Sequence, residues 1–174
     1  NHDELTLEMV TPEEREWMWR EYAPEPRMRL NLGIRRRLAP LLENDRRKIE
    51  LANSLLFTLP GTPIIYYGDE IGMGDNIWLD DRNGVRTPMQ WTPGANAGFS
   101  EASPDKLYSP VISTPPYSPA EVNVAGEVDD PGSLFNFIRS LIDKVKRYKA
   151  FGEGDFTWAE CENTAIAAYF RSYS

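Results

Sequence analysis

Three segments of the chain repeat their apolar residues at the spacing of an α-helix. The first, residues 11–22, opens with Thr-Pro-Glu-Glu, and Pro24 follows it. This order predicts a capping box, in which a threonine before the helix and a glutamate three positions later each bond the other's backbone N–H. Proline is also suited to the first helical position. The sequence therefore predicts a helix that begins directly after Thr11.

The other two helical segments each carry one apolar face. Residues 45–59 are followed by Pro60-Gly61, and residues 133–149 begin at a capping serine and end in lysines and arginines. Cations are favoured at the end of a helix by its dipole. The predicted faces are Ile49, Ala52 and Leu56, with Leu55 and Leu59 beside them, and Leu134, Ile138, Leu141, Val145 and Tyr148.

A short, unbroken apolar run lies between the second helix and Gly68. Its residues, Thr62–Tyr67, predict a strand buried on both faces, as in a parallel sheet. A helix that leads into such a strand is half of an alternating α/β architecture. A buried parallel strand needs ladder partners on both sides, and the remaining sequence shows none. The chain is therefore predicted to be a piece of a larger fold.

The remaining segments predict one long loop and one hairpin. Residues 68–132 hold most of the glycine and proline, together with Trp78, Trp91 and Phe99. A connection of this length is either functional or disordered, and the embedded aromatic residues favour a functional loop. Two strand-like runs, 156–159 and 165–171, then predict a hairpin that begins a β domain.

Composition and charge exclude several classes of protein. The chain has 174 residues and a formal net charge of −8, which argues against nucleic acid and anionic membrane as partners. One cysteine and one histidine exclude a disulfide framework and sites that need two imidazoles. No apolar run approaches a membrane span and no secretory leader is visible, so a cytoplasmic location is expected. The basic clusters at 35–37 and 46–48 are interpreted as solvated faces or as partners of carboxylates.

Candidate chemistry occurs in three places, each with a plain structural alternative. Residues 1–4 read Asn-His-Asp-Glu, with Glu8 four positions beyond Glu4, which is either half of an acid–base site or an exposed terminus. Asp69 and Glu70 follow the predicted strand, where α/β proteins bind ligands, yet they can equally start a loop. Residues 81–91 combine arginines and a tryptophan, which suits sugar binding or an arginine-braced turn.

Together these segments resemble glycoside hydrolase family 13, the α-amylase family. Residues 1–3 are similar to the signature at the end of the seventh barrel strand, residues 61–73 resemble the eighth strand and its turn, and residues 86–91 resemble a loop of the glucosidase and isomerase branches. Residues 1–10, 27–42, 44–51 and 68–91 resemble, more narrowly, the branch that interconverts maltose and trehalose.

The resemblance implies a fold and a place in it. The fold is α/β, a (β/α)₈ TIM barrel with its catalytic face at the strand C-termini. Residues 1–152 are its C-terminal part, from the end of strand 7 to helix 8, with the long loop at 68–132. Residues 153–174 begin a C-terminal β-sandwich domain. The earlier strands, which in the family carry the Asp nucleophile and the Glu acid/base, lie outside this chain, so folding is expected to need the rest of the barrel.

The resemblance also implies roles for five residues. Asp3 is the expected transition-state stabiliser, because a third carboxylate can stabilise the positive charge of an oxocarbenium-like sugar. His2 and Arg86 are expected to bind sugar hydroxyls, and Glu4 and Glu8 to close the site around the leaving glucose. The long loop is expected to be part of a lid that excludes water.

Partners and alternatives follow from the same resemblance. The expected ligands are maltose, trehalose and glucose, with some hydrolysis to glucose and no required cofactor. Calcium is compatible with the family, with ligands mainly outside the chain, although Asp75, Asn76, Asp80 and Asp81 offer oxygen ligands. Three alternatives stay open: an α-glucosidase or amylase, a non-catalytic interaction domain, and a truncated piece that is inactive alone.

Overall fold

The N-terminal part of the chain is a helix packed on a small sheet. In the computed structural model, which describes residues 4–174, helix α1 spans Pro12–Tyr22 and both hydrogen bonds of the predicted capping box are present. The sheet has the strand order β1-β3-β2, and every pair is antiparallel. Its strands are β1 (Leu5–Thr6), β2 (Arg29–Leu30) and β3 (Gly33–Ile34). The sequence does not predict this sheet, because strands of two residues are too short to show an alternation of apolar and polar residues.

The main core lies between three helices. Helix α2 spans Leu38–Leu41 and helix α3 spans Arg46–Thr58, beginning at the capping residue Asp45. Helix α5, which spans Leu134–Arg147, completes the layer. The buried residues of this core are Ala39, Ile49, Phe57, Leu134, Ile138 and Leu141.

The predicted inner face of α3 is correct for Ile49 but wrong for Leu55 and Leu56. Its buried residues are Ile49, Asn53 and Phe57, whereas Leu55 and Leu56 are 36% and 41% exposed. The predicted face did not include Asn53, which is polar. Its side-chain amide, however, donates to the C=O of Ile49 at 2.9 Å, so one amide can be buried without a lost hydrogen bond. The helix therefore buries a face rotated from the one that the leucines indicated.

The predicted buried strand at Thr62–Tyr67 is also corrected. These residues form no strand, and no ladder joins them to any strand within residues 4–174. Ile64 is 70% exposed and Tyr67 is 38% exposed. A strand is defined by its backbone hydrogen bonds to neighbouring strands. A segment with the composition of a strand but without a neighbouring strand therefore stays irregular.

The predicted long loop is irregular but ordered by short turns. Its 3₁₀ turns are Asp69–Ile71, Asp81–Val85, Ala95–Gly98 and Pro104–Lys106, and a further 3₁₀ turn at Pro26–Met28 precedes β2. Helix α4, Val124–Glu127, begins at Asn123. A small core of Ile71, Met73 and Met89 anchors the loop.

The C-terminal part begins with the helix that sequence analysis indicated most clearly. Helix α5 spans Leu134–Arg147, and the Ser133 side chain accepts a hydrogen bond from the backbone of Asn136. Tyr148, predicted on its inner face, lies past its end and is 52% exposed. Helix α6 (Ala150–Glu153) leads to strands β4 (Asp155–Ala159) and β5 (Ala168–Ser172), which pair antiparallel as the predicted hairpin. Within residues 4–174, no helix is both long and apolar enough to cross a membrane.

Candidate active site

Two of the five predicted site residues, His2 and Asp3, lie outside the described residues. Their roles therefore stay predictions. The structure describes Glu4, the next residue along the chain, and its contacts locate the start of the described chain. Glu4 directly precedes β1, at the edge of the small sheet.

Glu4 is held by an arginine that lies 78 residues away in the chain. Nη2 of Arg82 donates to Oε2 of Glu4 at 2.7 Å, and Nδ2 of Asn31 lies 3.4 Å from both carboxylate oxygens. The Glu4 side chain is only 10% exposed, so this ion pair is screened less than a surface pair. The contact fastens Glu4, and with it the start of β1, to the loop that carries Arg86.

Arg86 lies at the edge of a cleft. It follows the 3₁₀ turn Asp81–Val85, and its side chain is exposed. The cleft has a volume of about 290 Å³. Besides Arg86, its lining includes the aromatic residues Tyr67, Phe99 and Tyr108. Aromatic walls beside a guanidinium suit a sugar, which presents apolar ring faces and hydroxyl acceptors together.

Tyr67 connects this cleft to the segment that precedes Gly68. Its hydroxyl donates to the C=O of Thr87 at 2.7 Å, which places the predicted strand end against the residue after Arg86. The sequence contained no indication of this hydrogen bond, because a tyrosine within an apolar segment is expected to be a core residue. Glu8, in contrast, is exposed in the turn before α1 and takes no part in the Glu4–Arg82 ion pair.

The two basic clusters differ in burial. Arg35 and Arg37 are 5% and 2% exposed, so the interpretation as a solvated face is wrong for residues 35–37. The alternative, carboxylate partners, is confirmed for Arg36 and Arg37, which pair with aspartates of the long loop. In the second cluster, Arg46 forms an i,i+4 pair with Glu50 on the surface of α3.

Arg37 is enclosed on every side. Its Nη1 donates to the C=O of Tyr67 at 2.6 Å and lies 3.3 Å from Oδ1 of Asp69. The guanidinium carbon is 4.9 Å and 4.7 Å from the ring centroids of Tyr66 and Tyr67. Gly68 has a φ of +87°, and a Cβ there would lie 3.2 Å from Nη1 of Arg37. One cation therefore fixes the turn after the predicted strand.

Burial controls the charge of the two aspartates that face these arginines. It raises the pKa of Asp69 to about 6, against the opposing effect of Arg37. Burial likewise raises the pKa of Asp75, opposed by Arg36, whose Nε lies 2.8 Å from Oδ2 of Asp75. Both carboxylates are thus costly to ionise despite their ion pairs.

The raised pKa of Asp69 predicts a pH-dependent component of stability. Because the folded-state pKa exceeds the unfolded value of 3.8, protonation favours the folded state. The stabilisation is complete below about pH 4 and is lost as the pH rises through about 6. From pH 7 to pH 4, the free energy of unfolding should therefore rise by up to about 3 kcal/mol more for the native sequence than for Asp69→Asn.

Urea unfolding of the two proteins, each as part of a complete barrel, at four pH values between 4 and 7 measures this difference. Asp129→Asn, at an exposed aspartate, is the matched control and should follow the native sequence at every pH. A constant difference between the native sequence and Asp69→Asn would show that Asp69 ionises at its ordinary pKa.

Two of the four residues that offered oxygen ligands for calcium, Asp75 and Asn76, are engaged with protein groups. Oδ2 of Asp75 accepts from the backbone N–H of Arg37 as well as from Arg36, and Oδ1 of Asn76 accepts from the N–H of Trp78. Residues 4–174 contain no group of three or more His, Cys, Asp or Glu side chains placed to hold a metal ion. Calcium binding elsewhere stays an expectation of the family resemblance.

Comparison with known proteins gives the class to which this arrangement belongs. Residues 34–154 match the family described as alpha amylase, catalytic domain. The match covers more than half of the chain, so the chain belongs to the α-amylase family. The resemblance of the sequence motifs to this family is thereby confirmed.

Individual relatives and solved structures give a closer comparison within the α-amylase family. The chain is 57% identical over 171 residues to the trehalose synthase of Pimelobacter sp., covering 98% of this chain and 30% of the relative. It is equally identical to the trehalose synthase/amylase of Mycobacterium tuberculosis, covering 98% and 28%. The trehalulose synthase MutB of Pseudomonas mesoacidophila has a similar fold, with a TM-score of 0.64, 27% identity, and coverage of 79% and 31%. The chain therefore spans about 30% of the length of the curated relatives that it matches.

Proposed function

We propose that this chain is the C-terminal part of the catalytic barrel of a trehalose synthase, which interconverts maltose and trehalose by retaining glucosyl transfer. The observation that carries the proposal is the 57% identity to trehalose synthases over 98% of the chain. In this assignment residues 1–152 run from the end of strand 7 to helix 8, and residues 153–174 begin the β domain. The protein is expected to act in the cytoplasm on free α-glucosides.

The described contacts support a reaction at the cleft beside Arg86. The Glu4–Arg82 ion pair brings the N-terminal segment to the loop of residues 81–86. In the proposal, Asp3 stabilises the oxocarbenium-like transition state, and His2 and Arg86 bind hydroxyls of the sugar. The nucleophile and the acid/base come from the earlier strands of the barrel.

The contacts of Glu4 suggest how it would help to close the site. Its carboxylate accepts a hydrogen bond from Arg82 and lies near Asn31, which supports a role in holding the wall of the site around the leaving glucose. A wall of this kind suits an isomerase, because the released glucose must be retained and rejoined before water reaches the intermediate. A solved variant of MutB is in complex with glucose, which supports a monosaccharide as a ligand of this fold.

A chimera tests the proposal in a complete barrel. The 171 matched residues of the Pimelobacter enzyme are replaced by this chain, and the purified protein is incubated with maltose. We expect trehalose as the main product and a smaller amount of glucose, both measured by chromatography. The unaltered Pimelobacter enzyme is the control for folding and assay.

Two other results of this experiment would indicate a different function. Glucose without trehalose contradicts the proposal and favours a hydrolase, which the name trehalose synthase/amylase of the mycobacterial relative makes the second candidate. A folded chimera that produces neither sugar indicates a non-catalytic domain.

A further inference from the structure

The carbonyl groups of the loop before Arg86 converge on one buried guanidinium. Nη1 of Arg35 donates to the C=O of Leu79 at 2.6 Å and to that of Asp81, and Nη2 donates to the C=O of Ile77 at 2.8 Å. A bound cation often organises a loop in this way, through several backbone oxygens. Here the cation is a side chain of the chain itself.

Arg35 also joins this loop to the small sheet. Nη2 donates to the C=O of Arg27 at 2.6 Å, and the backbone N–H of Arg35 donates to the C=O of Met28 at 2.7 Å. Arg35 directly follows β3 and is 5% exposed. The guanidinium is thus a fixed point between the sheet next to Glu4 and residues 77–81.

Two groups of the proposed site, Arg82 and Arg86, are carried by this same loop. Trp78 projects outward, 68% exposed, with the guanidinium of Arg27 at 5.2 Å from its ring centroid. Arg82 reaches Glu4 at 2.7 Å. Arg86 follows four residues later, and the loop is closed behind it because the N–H of Asn76 donates to the C=O of Gly84 at 2.9 Å.

We propose that Arg35 is a positioning residue for the reaction, one that holds the loop of residues 76–86 so that Arg82 meets Glu4 and Arg86 meets the sugar at the correct place. The proposal rests on the proposed function, because it assigns a role to a residue that acts through that site. Arg35 itself contacts neither the cleft nor Glu4.

Only an arginine can donate hydrogen bonds to all four of these carbonyl groups. The four accepting carbonyls are spread over both terminal nitrogens of a planar fork. A lysine keeps the charge but has one nitrogen with three donors, so it leaves part of the carbonyl set unpaired. Arg35→Lys therefore tests geometry separately from charge.

Arg35→Lys is compared with the native sequence and with Arg46→Lys, all in the chimera. Arg46 makes an exposed pair with Glu50, and its variant should match the native sequence in every measurement. For Arg35→Lys we expect loss of amide-exchange protection confined to residues 76–86. We also expect kcat/KM for trehalose formation to fall about 10- to 100-fold, with a higher KM and a larger share of glucose.

The results separate positioning from a general structural role. A merely destabilised enzyme loses both products in equal proportion at unchanged KM, and that result would overturn the catalytic link. Unchanged exchange in residues 76–86 would overturn the positioning itself. If the native chimera makes no trehalose, the proposed function fails, while the exchange measurement still decides whether Arg35 holds the loop.

A second variant disturbs the loop without substituting the arginine. A Cβ on Gly84 would lie 2.4 Å from the backbone oxygen of Asn76 and 3.7 Å from Cζ of Arg35, so Gly84→Ala must shift the loop while the guanidinium is kept. We expect it to reproduce the exchange pattern and the product shift of Arg35→Lys. A Gly84→Ala protein with exposed loop amides but the native product ratio would contradict the proposal even if Arg35→Lys does not fold.

Discussion

Asp3→Asn in the chimeric barrel is expected to lower kcat/KM for maltose by about a thousandfold. Asparagine keeps the size and the hydrogen-bonding oxygen of the side chain but removes its negative charge. The charge matters most when the sugar becomes oxocarbenium-like, so the loss should appear in kcat and not in KM. Initial rates of trehalose and glucose formation at several maltose concentrations measure both parameters.

The control for this experiment is an aspartate of the same chain that is remote from the cleft. Asp143→Asn changes an exposed residue on α5 and should leave kcat and KM unaltered. A fall of less than tenfold for Asp3→Asn, with the fold intact, would remove Asp3 from the reaction.

Local rules predicted the helices of this chain well. The capping box at Thr11 and the serine cap before α5 depend on residues within four positions of each other, and both are present as predicted. The C-terminal hairpin was equally predictable, because its alternation and turn are local. The sequence could also indicate which segments carry the candidate site, since residues 1–4 and 81–91 stand out by composition.

The contacts that organise the site depend on distant residues and could not be predicted. Arg82 and Glu4 lie 78 positions apart, and Arg35 bonds carbonyls more than 40 positions away. A run of three arginines in an acidic chain predicts a solvated surface. Nothing local shows that other parts of the chain will enclose two of them, Arg35 and Arg37. The strand predicted at Thr62–Tyr67 failed for the same reason: composition favours a strand, but hydrogen bonds to neighbouring strands decide whether one forms.

Arg37→Met is expected to cause the largest loss of stability of any single substitution in the arginine clusters, about 3–5 kcal/mol at pH 7. Methionine fills most of the volume but leaves the carboxylate of Asp69 and the C=O of Tyr67 without their donor. The side chain of Arg37 is 0% exposed, so the donor that is lost is a buried one, while the Asp69 side chain, 20% exposed, retains partial access to water. Urea unfolding followed by tryptophan fluorescence measures the loss.

Arg46→Met is the matched control, because it removes the same group from an arginine–carboxylate pair that is 42% and 34% exposed. Exposed pairs contribute little, so its cost should stay within about 0.5 kcal/mol. The pH supplies a second check on the cause. Below pH 6 Asp69 is increasingly protonated, and the loss of its partner should then cost less, so the effect of Arg37→Met should shrink between pH 7 and pH 5. An effect of equal size at both pH values would show that Arg37 stabilises the turn through Tyr67 and the aromatic rings alone.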